Sequence, residues 1–165
     1  MDVIEYSPTL NLGNPEMDDT HREFAALLNK VGNAADSELV AALDELIVHT
    51  EAHFAMEQQW MEEKAFPPAH CHVREHEGVL EITREVRKRV ADGETHLAGV
   101  LAKAVAEWFT NHIATMDAVL AAFIKQPDLF TAAGGAAVCA SGCSSETACA
   151  PEDAACAASV ENAPA

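Results

Sequence analysis

Apolar residues recur along most of the chain at the three-and-four spacing of helices that bury one face. From about Asp18 to Ala34, Phe24, Leu27, Leu28 and Val31 form one stripe. From Ser37 to about Lys64, Leu39, Leu43, Leu46, Ile47, His49, His53, Met56, Trp60 and Met61 form a second, with Glu38, Glu45, Glu51 and Glu62 mostly on other faces. A third helix, Ala69 to Ala91, carries Val79, Leu80, Ile82, Val86 and Val90, and gathers Arg84, Arg87, Lys88 and Arg89 towards its C-terminal end, where the helix dipole favours cations. The fourth, capped by Thr95, carries Leu97, Leu101, Val105, Trp108, Phe109, Ile113, Met116, Leu120 and Phe123 and stops near Lys125, ahead of Pro127. Breakers separate the four at Gly32-Asn33 with Asp36-Ser37, at Phe66-Pro67-Pro68 and at Asp92-Gly93. Short connections make successive helices antiparallel, so the pattern predicts an all-α, up-down-up-down four-helix bundle, with residues 1–15 as a non-helical N-terminal arm lying against it.

Composition sharpens this picture at the C-terminal end. A chain of 165 residues, 49% hydrophobic, suits one core. Beyond Gln126 there is no Lys, Arg or His, and Ala132 to Ala165 is mostly Ala, Gly, Ser, Cys and acid. The expected division is a bundle domain over 1–126 and an acidic, Ala- and Cys-rich disordered tail over 127–165. Acids number 27 against 10 bases, and a net charge of −17 disfavours nucleic acid and anionic membrane surfaces as partners. No apolar run reaches the roughly 20 residues of a membrane span, and Met1-Asp2-Val3-Ile4-Glu5 has no basic leader, so the expected location is the cytoplasm. There Cys139, Cys143, Cys149 and Cys156, which form no CxxC pair, would stay reduced; a partner for the tail is left open. A monomer or a small homo-oligomer is equally compatible with the sequence.

The histidines carry the chemistry. The chain has eight, and several interrupt apolar stripes. One histidine on such a stripe is usually a hydrogen-bonded core residue. Here His53-x3-Glu57 and His72-x3-His76 each present two groups on one helix face, and His112-x4-Asp117 spans about one and a half turns, with its groups at different heights. With His21 added, five imidazoles and two carboxylates would share one core, a cost of about 1–3 kcal/mol for each unsatisfied group unless a metal removes it. That is too many ligands for one tetrahedral zinc, so two ions are implied. Two six-coordinate ions sharing these side chains and one bridging oxygen keep a single position open, a vacancy suited to a small diatomic molecule on iron, manganese or copper. No histidine has a glutamate three residues before it, which disfavours a ferritin-type ferroxidase.

The ordered set of a lone histidine in Met17-Asp18-Asp19-Thr20-His21, then His53-x3-Glu57, His72-x3-His76 and His112-x4-Asp117, resembles the signature of the hemerythrin family, in its bacterial form, over residues 1 to about 126. Gly13-x-Pro15-Glu16-Met17-Asp18 is similar to the arm leading into that family's first helix, and Trp108-Phe109 ahead of His112-Ile113 to its apolar pocket wall. The resemblance implies two iron ions, cycling between Fe2+ and Fe3+ with a bridging oxygen: one on His72, His76 and His112, the other on His21 and His53, bridged by Glu57 and Asp117. It implies dioxygen as the ligand, bound reversibly at the two-histidine iron for carriage, storage or sensing, without catalytic turnover. Leu28, Trp108, Phe109 and Ile113 are the expected wall of the oxygen pocket. The competing reading is a di-iron enzyme that reduces nitric oxide or peroxide, with His49, one turn before His53, supplying a proton; a metal buffer is a third. Cys71 is expected to be a packed or partly exposed loop thiol rather than a ligand, and His96 to be exposed.

Overall fold

A computed structural model describes residues 2–128. The helices are α1 (Pro15–Asn33), α2 (Leu39–Glu63), α3 (Ala69–Ala91), α4 (His96–His112) and α5 (Ala118–Lys125). A five-residue π-helical turn, Ile113–Asp117, joins α4 to α5, so the two form one rod. α1 packs on α2 and α4, and α3 packs on α2 and α4, which closes the ring of the four-helix bundle. Residues 129–165 of the expected tail, with its cysteines, lie outside the described residues. Among the described residues no helix is long and apolar enough to cross a membrane.

The helix ends follow local chemistry. α1 begins earlier than the stripe suggests because Pro15, whose φ suits a helix and whose missing N–H costs nothing there, occupies the first turn. α3 ends in a Schellman motif at Gly93 (φ 105°), with the Gly93 N–H on Val90 O and the Glu94 N–H on Arg89 O. α2 ends the same way at Ala65 (φ 51°), whose Cβ makes that conformation cost about 1 kcal/mol more than glycine would. Thr95 makes no side-chain cap; its hydroxyl donates to Asp36 Oδ2 at 3.1 Å and ties together the two loops at that end of the bundle. Ile82, expected in the third stripe, is 58% exposed because Val79, Thr83 and Val90 set the buried face of α3.

Two apolar clusters hold the helices. The larger contains Phe24, Leu28, Leu43, Leu46, Leu101, Phe109 and Ile113, and the smaller contains Met17, Met61, Phe66, Leu120, Ala121 and Phe123. Burying each large side chain contributes roughly 1.5–3 kcal/mol. Residues 2–14 form the arm, with Ile4 buried in the larger cluster and a short 3-10 turn at Pro8–Leu10.

Candidate metal centre

Each rod of the bundle contributes to one buried polar cluster: His21 from α1, His53 and Glu57 from α2, His72 and His76 from α3, and His112 and Asp117 from the fourth rod. None of the seven is more than 4% exposed. On α2 the four-residue spacing puts His53 Nε2 2.9 Å from Glu57 Oε1. Between His112 and Asp117 the sequence predicts an offset in height, and the backbone between them brings both side chains to the same cluster. The π turn, whose i→i+5 hydrogen bonding brings residues five apart into line, places His112 Nε2 3.2 Å from Asp117 Oδ1.

The seven side chains divide into two groups that share both carboxylates. His76 Nε2 lies 2.9 Å from His112 Nε2, which lies 3.0 Å from His72 Nε2, so three imidazoles converge. Glu57 turns Oε2 towards that group, 3.2 Å from His72 and 3.4 Å from His76. Its Oε1 faces His53 and, at 3.6 Å, His21. Asp117 repeats the division, with Oδ1 3.1 Å from His72 and Oδ2 3.3 Å from His21. One atom each from Glu57, His72, His76, His112 and Asp117 falls within a 4.8 Å span, as does one each from His21, His53 and Glu57. Either set could hold a cation.

Electrostatics point the same way. Both ring nitrogens of His21, His53 Nδ1, Glu57 Oε2 and both Asp117 oxygens are buried without a hydrogen-bond partner, a cost that a bound cation would offset. Burial pushes the Glu57 and Asp117 carboxyls up, but the histidines facing them hold both well below the usual carboxylate range. Burial likewise opposes charge on His21 and His72, yet Asp117 and Glu57 outweigh it and lift both imidazoles to about 9. At His76 burial prevails, helped by the neighbouring His72 and His112, and takes the imidazole down to about 2. Without metal, protons on His21 and His72 neutralise the carboxylates, so a cation must displace them.

Aromatic rings surround the cluster unevenly. Phe54 stacks on His76 at 3.6 Å and Trp108 on His112 at 4.5 Å, while the Trp108 indole N–H donates to Glu75 Oε2 at 3.2 Å. Phe109 meets His21 edge-on at 5.3 Å, and Phe24 meets His53 edge-on at 6.0 Å. Leu28, Phe109 and Ile113 are buried in one apolar cluster, and half-buried Trp108 packs against it while its ring meets His112 and Phe54. Phe24 escapes a sequence reading as a site residue because its place in the α1 stripe is explained by the core alone.

His49 is half-buried, with Nε2 3.2 Å from Thr20 O and Nδ1 3.7 Å from the Glu23 carboxylate; burial pushes its imidazole down. His70 and His96 are exposed and Cys71 is half-buried; neither ligand set includes any of the three.

Comparison with known proteins agrees with this geometry. The hemerythrin HHE cation binding domain family matches residues 12–124. A bacteriohemerythrin of Ralstonia nicotianae is 45% identical over 126 residues, covering 76% of this chain and 92% of the relative. One of Stenotrophomonas maltophilia is 32% identical over 129 residues, covering 76% and 84%. A crystal structure of a hemerythrin mutant, 22% identical, superposes with a TM-score of 0.69 over 75% of this chain and 98% of that one, which shows the shared fold. On the family match and the bacterial relatives together, the chain belongs to the hemerythrin family.

Proposed function

We propose that this chain binds two iron ions and through them holds dioxygen reversibly, as a carrier, store or sensor. The observation that carries this reading is the division of both carboxylates: Glu57 and Asp117 each offer one oxygen to the three-histidine group and the other to the two-histidine group. His72, His76 and His112 would hold one ion and His21 and His53 the other, with Glu57 and Asp117 across both. The nitrogen-rich donor set, free of thiolate, suits iron, and the orphaned buried oxygens fit a site that needs divalent charge.

When bound, the ions supply a reversible exchange of two electrons with dioxygen. The surrounding residues define what else can enter. Phe24 and Phe109 turn edges towards His53 and His21, and with Leu28 and Ile113 make that side apolar, which disfavours water or hydroxide next to the two-histidine group. Trp108 steadies His112 on the opposite side. His49 supports binding over turnover, since its Nε2 faces a backbone carbonyl and its Nδ1 an exposed glutamate rather than the cluster.

The test is iron content together with the visible spectrum of anaerobically reduced protein, before oxygen, after oxygen and after purging. Two irons per chain and a coloured adduct that comes and goes with the gas are expected. An adduct that decays at once to the oxidised centre, with substrate consumed over repeated cycles, overturns the reading in favour of an enzyme.

A further inference from the structure

His21 is the one ligand-type side chain that α1 sends into the cluster, and neither of its ring nitrogens has a hydrogen-bond partner. Its position therefore depends on how α1 is seated. One turn earlier, Asp18 is buried at 6% exposure, and its carboxylate is taken up by the arm. Oδ1 accepts the Leu12 N–H at 2.6 Å and Oδ2 the Gly13 N–H at 3.0 Å. The same dipeptide is held from the last turn of α5, where Lys125 Nζ donates to the Leu12 carbonyl at 2.8 Å. Gly13 has φ 72°, a conformation that favours glycine, and a Cβ there would lie 2.9 Å from Lys125 Nζ, which would have to move aside.

Leu12-Gly13 is thus a brace between α1 and α5. The two helices it joins flank the contact of His21 Nε2 with Asp117 Oδ2 at 3.3 Å, since Asp117 immediately precedes α5. Farther along, Asn29 fastens the arm to α1 by accepting from the Val3 and Ile4 N–H groups and donating to the Ile4 carbonyl, at 2.8, 3.0 and 2.8 Å. The arm is therefore anchored along α1, with Asn33 also donating to Asp2, and the Asp18 anchor is the one that also reaches the helix beyond Asp117.

We infer that Asp18 is a positioning residue for the two-histidine half of the centre: by holding Leu12-Gly13 between α1 and α5 it sets His21 against Asp117, and with it the affinity for the second ion. The inference rests on the two-ion reading above. It places metal selectivity between the halves partly outside the cluster, in a side chain that touches no ligand.

The experiment uses the full chain, stripped of metal and titrated anaerobically with Fe2+, with stoichiometry read by equilibrium dialysis and folding by circular dichroism. Wild-type protein should take up two ions; uptake of one or none overturns the two-ion reading itself and this inference with it. Asp18→Asn and Asp18→Ala should weaken the second ion by about 10–100-fold, Asn less than Ala because it keeps one acceptor, with the first ion changed by less than about threefold. Lys125→Met, at an exposed position, should weaken the same ion by a smaller factor and decides the matter if the Asp18 variants do not fold. In a His53→Ala background, where the two-histidine position is already damaged, Asp18→Asn should no longer alter binding of the remaining ion. Equal weakening of both ions, or unchanged affinity for both, overturns the inference.

Discussion

The two halves of the cluster are built on different principles. On the three-histidine side, imidazoles from α3 and α4 crowd within 3.0 Å of one another, and two are covered face-on by Phe54 and Trp108. On the two-histidine side, His21 and His53 come from separate helices, meet Phe109 and Phe24 edge-on and, at His53, a tilted Phe54, and leave three of their four ring nitrogens without partners. The first half is fixed by its own contacts. The second depends on helix seating and is apolar around its rim. The two carboxylates, each facing both groups, are what make the two halves one cluster.

Removing a shared carboxylate should break the comparison most completely. Glu57→Gln, whose amide cannot supply a negative oxygen to each side, should lower affinity for both ions by at least about a hundredfold, as read from iron retained after desalting. Phe109→Ala should act on the two-histidine side alone: it removes a ring 1% exposed, should cost about 3–5 kcal/mol in denaturant unfolding, and should shorten the life of the oxygen adduct while both irons stay bound.

Acidity sharpens the contrast next. His21 and His72 are lifted to about 9 in the metal-free fold, above the ordinary 6.5, so the stability they contribute is fully present below pH 6.5 and lost as pH rises towards 9. His76 works in the other direction: its depressed imidazole lowers metal-free stability as pH falls below 6.5. Melting of the metal-free protein across pH 5–10 should therefore show falling stability on the alkaline side. Iron affinity should instead rise over the same interval, since fewer protons remain to be displaced. Trp108→Phe should give the smallest effect, about 0.5–1.5 kcal/mol of stability for the lost Glu75 hydrogen bond, with both ions retained.

Much of this was legible in the sequence. The four stripes yield the bundle, and the seven histidine and carboxylate positions follow from spacings that helical geometry interprets directly. What escaped has physical reasons. The π turn changes backbone hydrogen bonding without changing residue type, so the sequence does not reveal how the five-residue interval from His112 to Asp117 comes to face one cluster. Thr95 looks like a cap, but its hydroxyl finds Asp36 across the loops. Ile82 is apolar and lies off the face that Val79 and Thr83 define. The roles of Phe24 and Asp18 depend on contacts between elements, and an aperiodic arm offers no pattern from which to foresee them.

The π turn also sets rotational phase. Each α-helical residue advances about 100° around the axis, so one additional residue at Ile113–Asp117 turns everything after it by that angle relative to an uninterrupted helix. Leu120, Ala121 and Phe123 meet Met17, Met61 and Phe66 in that shifted phase. Deleting one residue from 114 to 116 would let the rod run on as an unbroken α-helix and leave these side chains and Asp117 close to their present phase, since the five residues of the π turn cover about the angle that four α-helical residues do. The additional residue is absorbed within the turn, and a further insertion or deletion beyond it, in Ala118–Lys125, would carry the smaller apolar cluster out of step with Asp117.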